Sequence, residues 1–289
     1  LASYIMDGVG SPGLIVDGYN SPHNFQLKPS HAKMLEQADI IFWVGEDLEN
    51  FLEKPLDTIA KKAEKIELLE IKGIKKLKFR ERNIFEEHDD HGHDAKKEEH
   101  NDDDDHGHDA LKEEHDDHEG HGHGEYDPHI WLDPINAKVI LSEITEHLIE
   151  NDSKNASTYK SNLAKALAKI DKLIIDVITE TNTDLSYVVF HDAYQYYENR
   201  FNVNILGAMT VNPDVMPGAE QIHEIHEVIE HDNVSCILSE PQFNPDIIKS
   251  IAKDTNVKTG VLDPLGANLK PGKDLYFDLI RNMSASFNC

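Results

Sequence analysis

The sequence predicts an α/β protein of two parallel-sheet lobes joined by one long helix. Three observations lead there. Short apolar runs alternate with amphipathic stretches in the first part of the chain, and the alternation restarts beyond residue 183. Between them lies an unbroken helical pattern. Strand and helix alternating in this way favour parallel sheets, because each return to the same sheet edge needs a crossover helix.

The elements follow in order. The opening LASYIMDGVG has a helical pattern, and LIVD (14–17) reads as a strand. KPSHAKMLEQA reads as a helix with Ser30 as N-cap after Pro29. DIIFWVG (39–45) is an apolar run ended by glycine, as expected of a strand buried on both faces. ENFLEKPLDTIAKKA is helical with a kink or restart at Pro55, and KIELLE is a further strand. After HIWLDP, the segment PINAKVILSEITEHLIE is helical again. From Asn155 to Thr181 apolar Leu163, Leu167, Ile170, Ile174, Val177 and Ile178 keep three-and-four spacing along one stripe. At 1.5 Å per residue this helix would extend about 40 Å, enough for a strut. YVVF, VNILG, SCILSE and VKTGVL then alternate with helices to the end. The expected organisation is a lobe over 1–153, a connecting helix over 154–182 and a lobe over 183–289.

The formal charge of -27 argues against nucleic acid or an anionic membrane face as partner, and it suits a cationic ligand. No apolar run reaches the length of a membrane span. Two cysteines, Cys236 and Cys289, without CxxC spacing exclude zinc-finger and thioredoxin readings. They leave either one disulfide or two free thiols.

Residues 86–125 form a tract of histidine and acid, with HGHDAKKEEH at 91–100 repeated as HGHDALKEEH at 106–115. It holds ten of the 18 histidines: His88, His91, His93, His100, His106, His108, His115, His118, His121 and His123. Such a composition cannot bury enough apolar surface to offset its ordering entropy, so a disordered loop within the first lobe is expected. Its imidazoles and carboxylates suit weak, secondary metal binding.

A tighter site must come from residues that a fold can hold. In open parallel sheets ligands sit beyond the carboxyl ends of strands. His191 follows YVVF, His23 follows LIVD, His129 precedes IWLDP, and Asp263 closes the run TGVL. Three imidazoles and a carboxylate make a tetrahedral zinc set. His31 and His147 read as structural. In QIHEIHEVIEH, His223 and His226 are three apart, whereas the HExxH motif needs four, so this stretch reads as a solvated helix face.

VFHDAYQYY, PHIWLDP, PHNFQLKPS, TVNPDVMPGAEQIHEI, SEPQFNP and LDPLGAN resemble the motifs of the ZnuA family, the zinc-specific solute-binding proteins of bacterial ABC transporters. The resemblance covers nearly the whole chain. It implies two α/β lobes on a rigid helix with one zinc site in the cleft between them, and it puts the metal histidines on His23, His129 and His191. It also implies a periplasmic, monomeric carrier without enzymatic activity, whose partner is a permease in the inner membrane. Because the chain begins at Leu1 inside a helical pattern, the family's first strand and a signal peptide are expected upstream. The resemblance and an oxidising periplasm together support a Cys236–Cys289 disulfide.

Some zinc members carry a glutamate immediately before the first histidine, where this chain has Pro22. Asp263 or water is then expected as fourth ligand, with Asp263 favoured. Asp192 would point to the opposite face of its strand. Related manganese carriers place a glutamate where His191 stands, so the nitrogen-rich set favours zinc over manganese. The rival readings are a carrier of manganese or another divalent metal, a zinc hydrolase and a metal buffer working through the tract.

Overall fold

The structure, a computed structural model, describes residues 1–80, 82–85, 124–213 and 215–289. The tract's ten histidines, and with them the expected disordered loop, lie outside the described residues.

The first lobe contains α1 (Ala2–Ile5), α2 (Pro29–Gln37), β1 (Ile40–Trp43), α3 (Glu46–Glu49), α4 (Glu53–Thr58) and β2 (Glu64–Glu67). Strands β1 and β2 pair in parallel, Ile40 opposite Glu64. Three local expectations are corrected here. LIVD forms no strand. Asp17 closes a turn instead, its Oδ1 accepting from Tyr19 N at 3.1 Å and Asn20 Nδ2 at 2.7 Å. The four residues, three of them apolar, have glycine on both sides and no sheet edge to pair with, and Leu14 is exposed. The cap of α2 is Lys28 rather than Ser30, because proline's fixed φ suits the first helical position; His31 Nδ1 accepts the Lys28 amide at 3.2 Å. Strand β1 is buried on alternate residues only, Ile41 and Trp43 facing a small core with Leu35, Leu52 and Leu56. The helical stretch after it breaks at the 3-10 turn Asn50–Leu52, and Pro55 sits in the first turn of α4, where its missing N–H costs nothing.

Helix α5 (Pro134–Asn151) is capped by Asp133, whose side chain accepts from Ile135 N at 2.8 Å. Arg200 grips the same carboxylate with Nε and Nη2 at 2.7 and 2.8 Å. Helix α6 (Ala156–Glu180) runs 25 residues, about 37 Å at the standard rise. It packs on α1 and α5 and also on the C-terminal helix, as a strut between lobes must. Its buried line is Tyr159, Asn162, Ala166, Ile170, Leu173 and Val177, one position around from the expected stripe, and Ile178 is exposed. Small and polar residues supply part of the true line: Asn162 Nδ2 donates to the carbonyls of Ile5 and Asp7, both at 2.9 Å. A stripe read from large aliphatics alone is drawn off-centre.

The second lobe holds β3 (Ser186–His191), α7 (Gln195–Phe201), β4 (Asn204–Thr210), α8 (Ala219–His231), β5 (Cys236–Ser239), α9 (Asp246–Thr255), β6 (Lys258–Val261) and α10 (Leu275–Ser286). Its sheet is wholly parallel in the order β4-β3-β5-β6, which makes β3 and β5 the central neighbours. One face packs on the core shared with α5, α6 and α10, and the other on α8 and α9 through Val188, Ile225, Ile237 and Ile248. Cys236 and Cys289 are joined in a disulfide, their Cα atoms 6.3 Å apart, which ties the tail beyond α10 to the start of β5.

The segment before the tract crosses between lobes. Asp127 N donates to Leu77 O, and Phe85 N to Leu206 O on the free edge of β4, while Ala208 N of β4 donates to Asn83 O. Among the described residues no helix is long and apolar enough to cross a membrane.

A histidine cluster in the cleft

His191 is the last residue of β3, and Glu240 follows β5 directly, so the carboxyl ends of two neighbouring strands deliver both to one spot. His129 comes from the other side, in the bend Asp127-Pro128-His129 that leads into the 3-10 turn Ile130–Leu132. His23 lies in the loop between α1 and α2. That loop is held against the second lobe by Gln242 Nε2 donating to Gly18 O at 2.6 Å. Gly18 is tight there, since a Cβ would stand 2.7 Å from Ala267 N. His129 and His191 are buried and His23 is partly so.

The ring nitrogens converge. His129 Nε2 lies 3.4 Å from His23 Nε2 and 3.4 Å from His191 Nε2. Four donors set tetrahedrally about zinc at about 2.1 Å lie about 3.4 Å from one another. The cavity between them is about 10 Å³, room for one ion or one water, and Trp131, Phe243 and Glu240 are among its other lining residues.

Behind two of the rings stand carboxylates. His129 Nδ1 donates to Asp127 Oδ1 at 2.7 Å, and His191 Nδ1 to Glu240 Oε1 at 2.6 Å. Each acceptor holds the proton on Nδ1 and leaves an Nε2 lone pair facing the centre. Lone pairs 3.4 Å apart repel unless a cation or a proton stands between them. Asp127 is itself fixed: its Oδ1 also accepts the His129 amide at 2.9 Å, and Gln195 Nε2 of α7 reaches its Oδ2 at 3.2 Å.

Electrostatics point the same way. Burial, and then the charge of His191, hold His129 well below the ordinary imidazole value, so it stands neutral and ready to ligate. Burial would depress His191 as well, but Glu240, Asp192 and Asp127 outweigh it and raise its pKa. Burial pushes Asp127, Asp192 and Glu198 each up to about 7. Arg80 answers two of them, at 3.2 Å to Asp192 Oδ1 and 2.7 Å to Glu198 Oε2. Three carboxylates around one guanidinium leave a negative pocket that favours a cation.

Of the four expected site residues, the fold brings the three histidines together and leaves Asp263 outside the group. Asp263 Oδ1 accepts from the amides of Leu265 and Gly266 at 3.1 and 2.9 Å, and Oδ2 from Ala267 N at 2.6 Å. Both oxygens are spent on these amides, and Oδ1 also accepts from Gln242 Nε2 at 3.1 Å. Asp127 and Glu240 were not anticipated from the sequence. Their signals were present: an acid two residues before His129, and an acid closing the apolar run SCILSE.

The family model described as "Zinc-uptake complex component A periplasmic" matches residues 1–288. The chain belongs to the ZnuA family. A Brucella abortus protein named high-affinity zinc uptake system protein ZnuA is 47% identical over 99% of this chain and 86% of its own length. The Yersinia pestis protein of that name is 36% identical over the same shares. In structure, a crystal structure of ZnuA superimposes with a TM-score of 0.72 at 20% identity, covering 98% of this chain and 94% of that one. A ZnuA deletion mutant with zinc bound gives 0.71 at 20% identity, covering 97% and 91%. Members of the ZnuA family are periplasmic zinc-binding components of an ABC transporter that work with a membrane permease and its ATPase; they are not enzymes.

Proposed function

We propose that this chain captures Zn²⁺ in the cleft on His23, His129 and His191 and delivers it, as a monomer in the periplasm, to the permease of an ABC transporter. The lobes over 1–153 and 183–289, with the strut between them, hold the ligands from both sides. One observation carries the reading: three imidazoles converge, the Nε2 atoms of His23 and His191 each at tetrahedral-edge spacing from that of His129, and two of the rings are backed by carboxylates. Water takes the fourth position, because Asp263 is engaged by backbone amides. The nitrogen-rich set favours zinc over manganese on both softness and the Irving–Williams order.

The deciding experiment is zinc calorimetry on the intact chain and on a variant whose residues 86–123 are replaced by a Gly/Ser linker. Phe79 N meets Glu125 O, so a linker rejoining Phe85 to Gly124 must span at most about 30 Å, which ten extended residues cover. One tight site is expected to survive, and only weaker events should vanish. Loss of all tight binding would make the tract the site and overturn the reading.

Asp263→Asn distinguishes water from carboxylate at the fourth position. Zinc affinity should change by less than about tenfold, while the melting temperature falls because the amide of Ala267 loses its acceptor. A larger loss of affinity with unchanged melting would return Asp263 to the ligand set.

A further inference from the structure

Outside the cleft, among the described residues, one further group of possible metal ligands centres on a histidine. His147 lies on α5, and Glu64 opens β2 beneath it. Its Nε2 hydrogen-bonds Glu143 Oε1, one helical turn back, at 3.3 Å. Its Nδ1 is 2.9 Å from Glu64 Oε1 and 4.0 Å from Glu150 Oε2. Yet Nδ1 is shielded from solvent and makes no hydrogen bond, because the near contact to Glu64 is out of line. Asn151 Nδ2 holds the other oxygen of Glu64 at 3.2 Å, and the Phe42 ring meets the imidazole edge-on.

This repeats the chemistry of the cleft on the surface. A carboxylate on one ring nitrogen fixes the proton there and leaves the other nitrogen with a bare lone pair. At His147 that nitrogen lies beside two carboxylate oxygens, an arrangement that is repulsive without a cation among them. Among the described residues, no lysine or arginine pairs with Glu64, Glu143 or Glu150 to supply one. The separations of 2.9 and 4.0 Å straddle the donor spacing of about 3.4 Å in a tetrahedral zinc shell. The two carboxylates are more exposed than the ring, so small side-chain rotations close the set.

We propose that Glu64, His147 and Glu150 form a second zinc site at the junction of β2 and α5, with Glu143 orienting the imidazole and water completing the shell. With one nitrogen donor and two exposed carboxylates, it binds more weakly than the cleft and fills after it. The proposal stands on its own geometry, independent of the function assigned to the cleft.

The test is ¹⁵N NMR of the histidine rings in the full chain, titrated with Zn²⁺, with the His147 signals identified by their absence in His147→Gln. After the first equivalent, the Nδ1 signal of His147 should shift as zinc is added. In a Glu64→Gln/Glu150→Gln variant, the shift should need about tenfold more zinc or more. A His147 ring protonated on both nitrogens and indifferent to excess zinc would overturn the proposal. So would a shift that the double variant leaves unchanged.

Discussion

Replacing His129 with alanine is expected to weaken zinc binding in the cleft by about two to three orders of magnitude. Protein zinc sites of four ligands bind with apparent free energies of about 10–16 kcal/mol, so one ligand accounts for about 3 kcal/mol. His129 Nε2 lies 3.4 Å from the Nε2 of each of the other two histidines. Its loss also leaves Asp127, fully buried, without the ring it holds. The measurement is competition against a chromophoric zinc chelator, made in the linker variant so that the tract does not contribute. His191→Ala should behave alike. Asp127→Asn, which keeps the ligand and removes the charge behind it, should lose less, about ten- to a hundredfold. A His129→Ala protein that bound zinc within a few-fold of the parent would remove the cluster from the function. Circular dichroism of the variant guards against simple unfolding, because His129 precedes the short turn Ile130–Leu132 at the centre of the core.

Much of this arrangement was legible in the residues. The strands of the second lobe announce themselves as apolar runs, because a central parallel strand is buried on both faces; Tyr187, Val188 and Val189 are fully buried. The strut was readable from its period alone. LIVD misled because three apolar residues carry no information about a partner edge, and Asp17 and Gly18 make a turn that docks on the other lobe. The expectation that His191 stands at a strand's carboxyl end matches its place as the last residue of β3. The rule that ligands gather at strand ends was indifferent to whether Asp263 turns towards the cleft or back onto its own loop, since backbone amides compete for a carboxylate as well as a metal does. Glu240 was invisible for a related reason. Its importance comes from the pairing of β5 with β3, and strand order is a property of the folded sheet. Family motifs supplied the grouping of histidines that spacing alone could not.

Zinc affinity in the cleft is expected to fall by about a hundredfold between pH 7 and pH 5, one decade per pH unit for each proton that zinc must displace. The sign follows from the shifts. Glu240, Asp192 and Asp127 raise His191, so in the metal-free protein its ring keeps a proton to higher pH than an ordinary histidine. That proton occupies the space between His191 and His129, where the metal would go. His129 is held well below the usual value and competes little in this range. Asp127 titrates near 7 in the metal-free protein, and once protonated it no longer accepts fully from His129 Nδ1, which steepens the fall. Chelator competition at several pH values, in the linker variant, gives the slope. Glu240→Gln supplies the internal check. Removing the carboxylate beside Nδ1 lowers His191, so the onset of the loss should move to lower pH, even as affinity at pH 7 declines for want of the charge behind the ring. An affinity that stayed flat from pH 7 to 5 would show that no proton shares the site with zinc. An onset unmoved in Glu240→Gln would place the competing proton elsewhere than on His191.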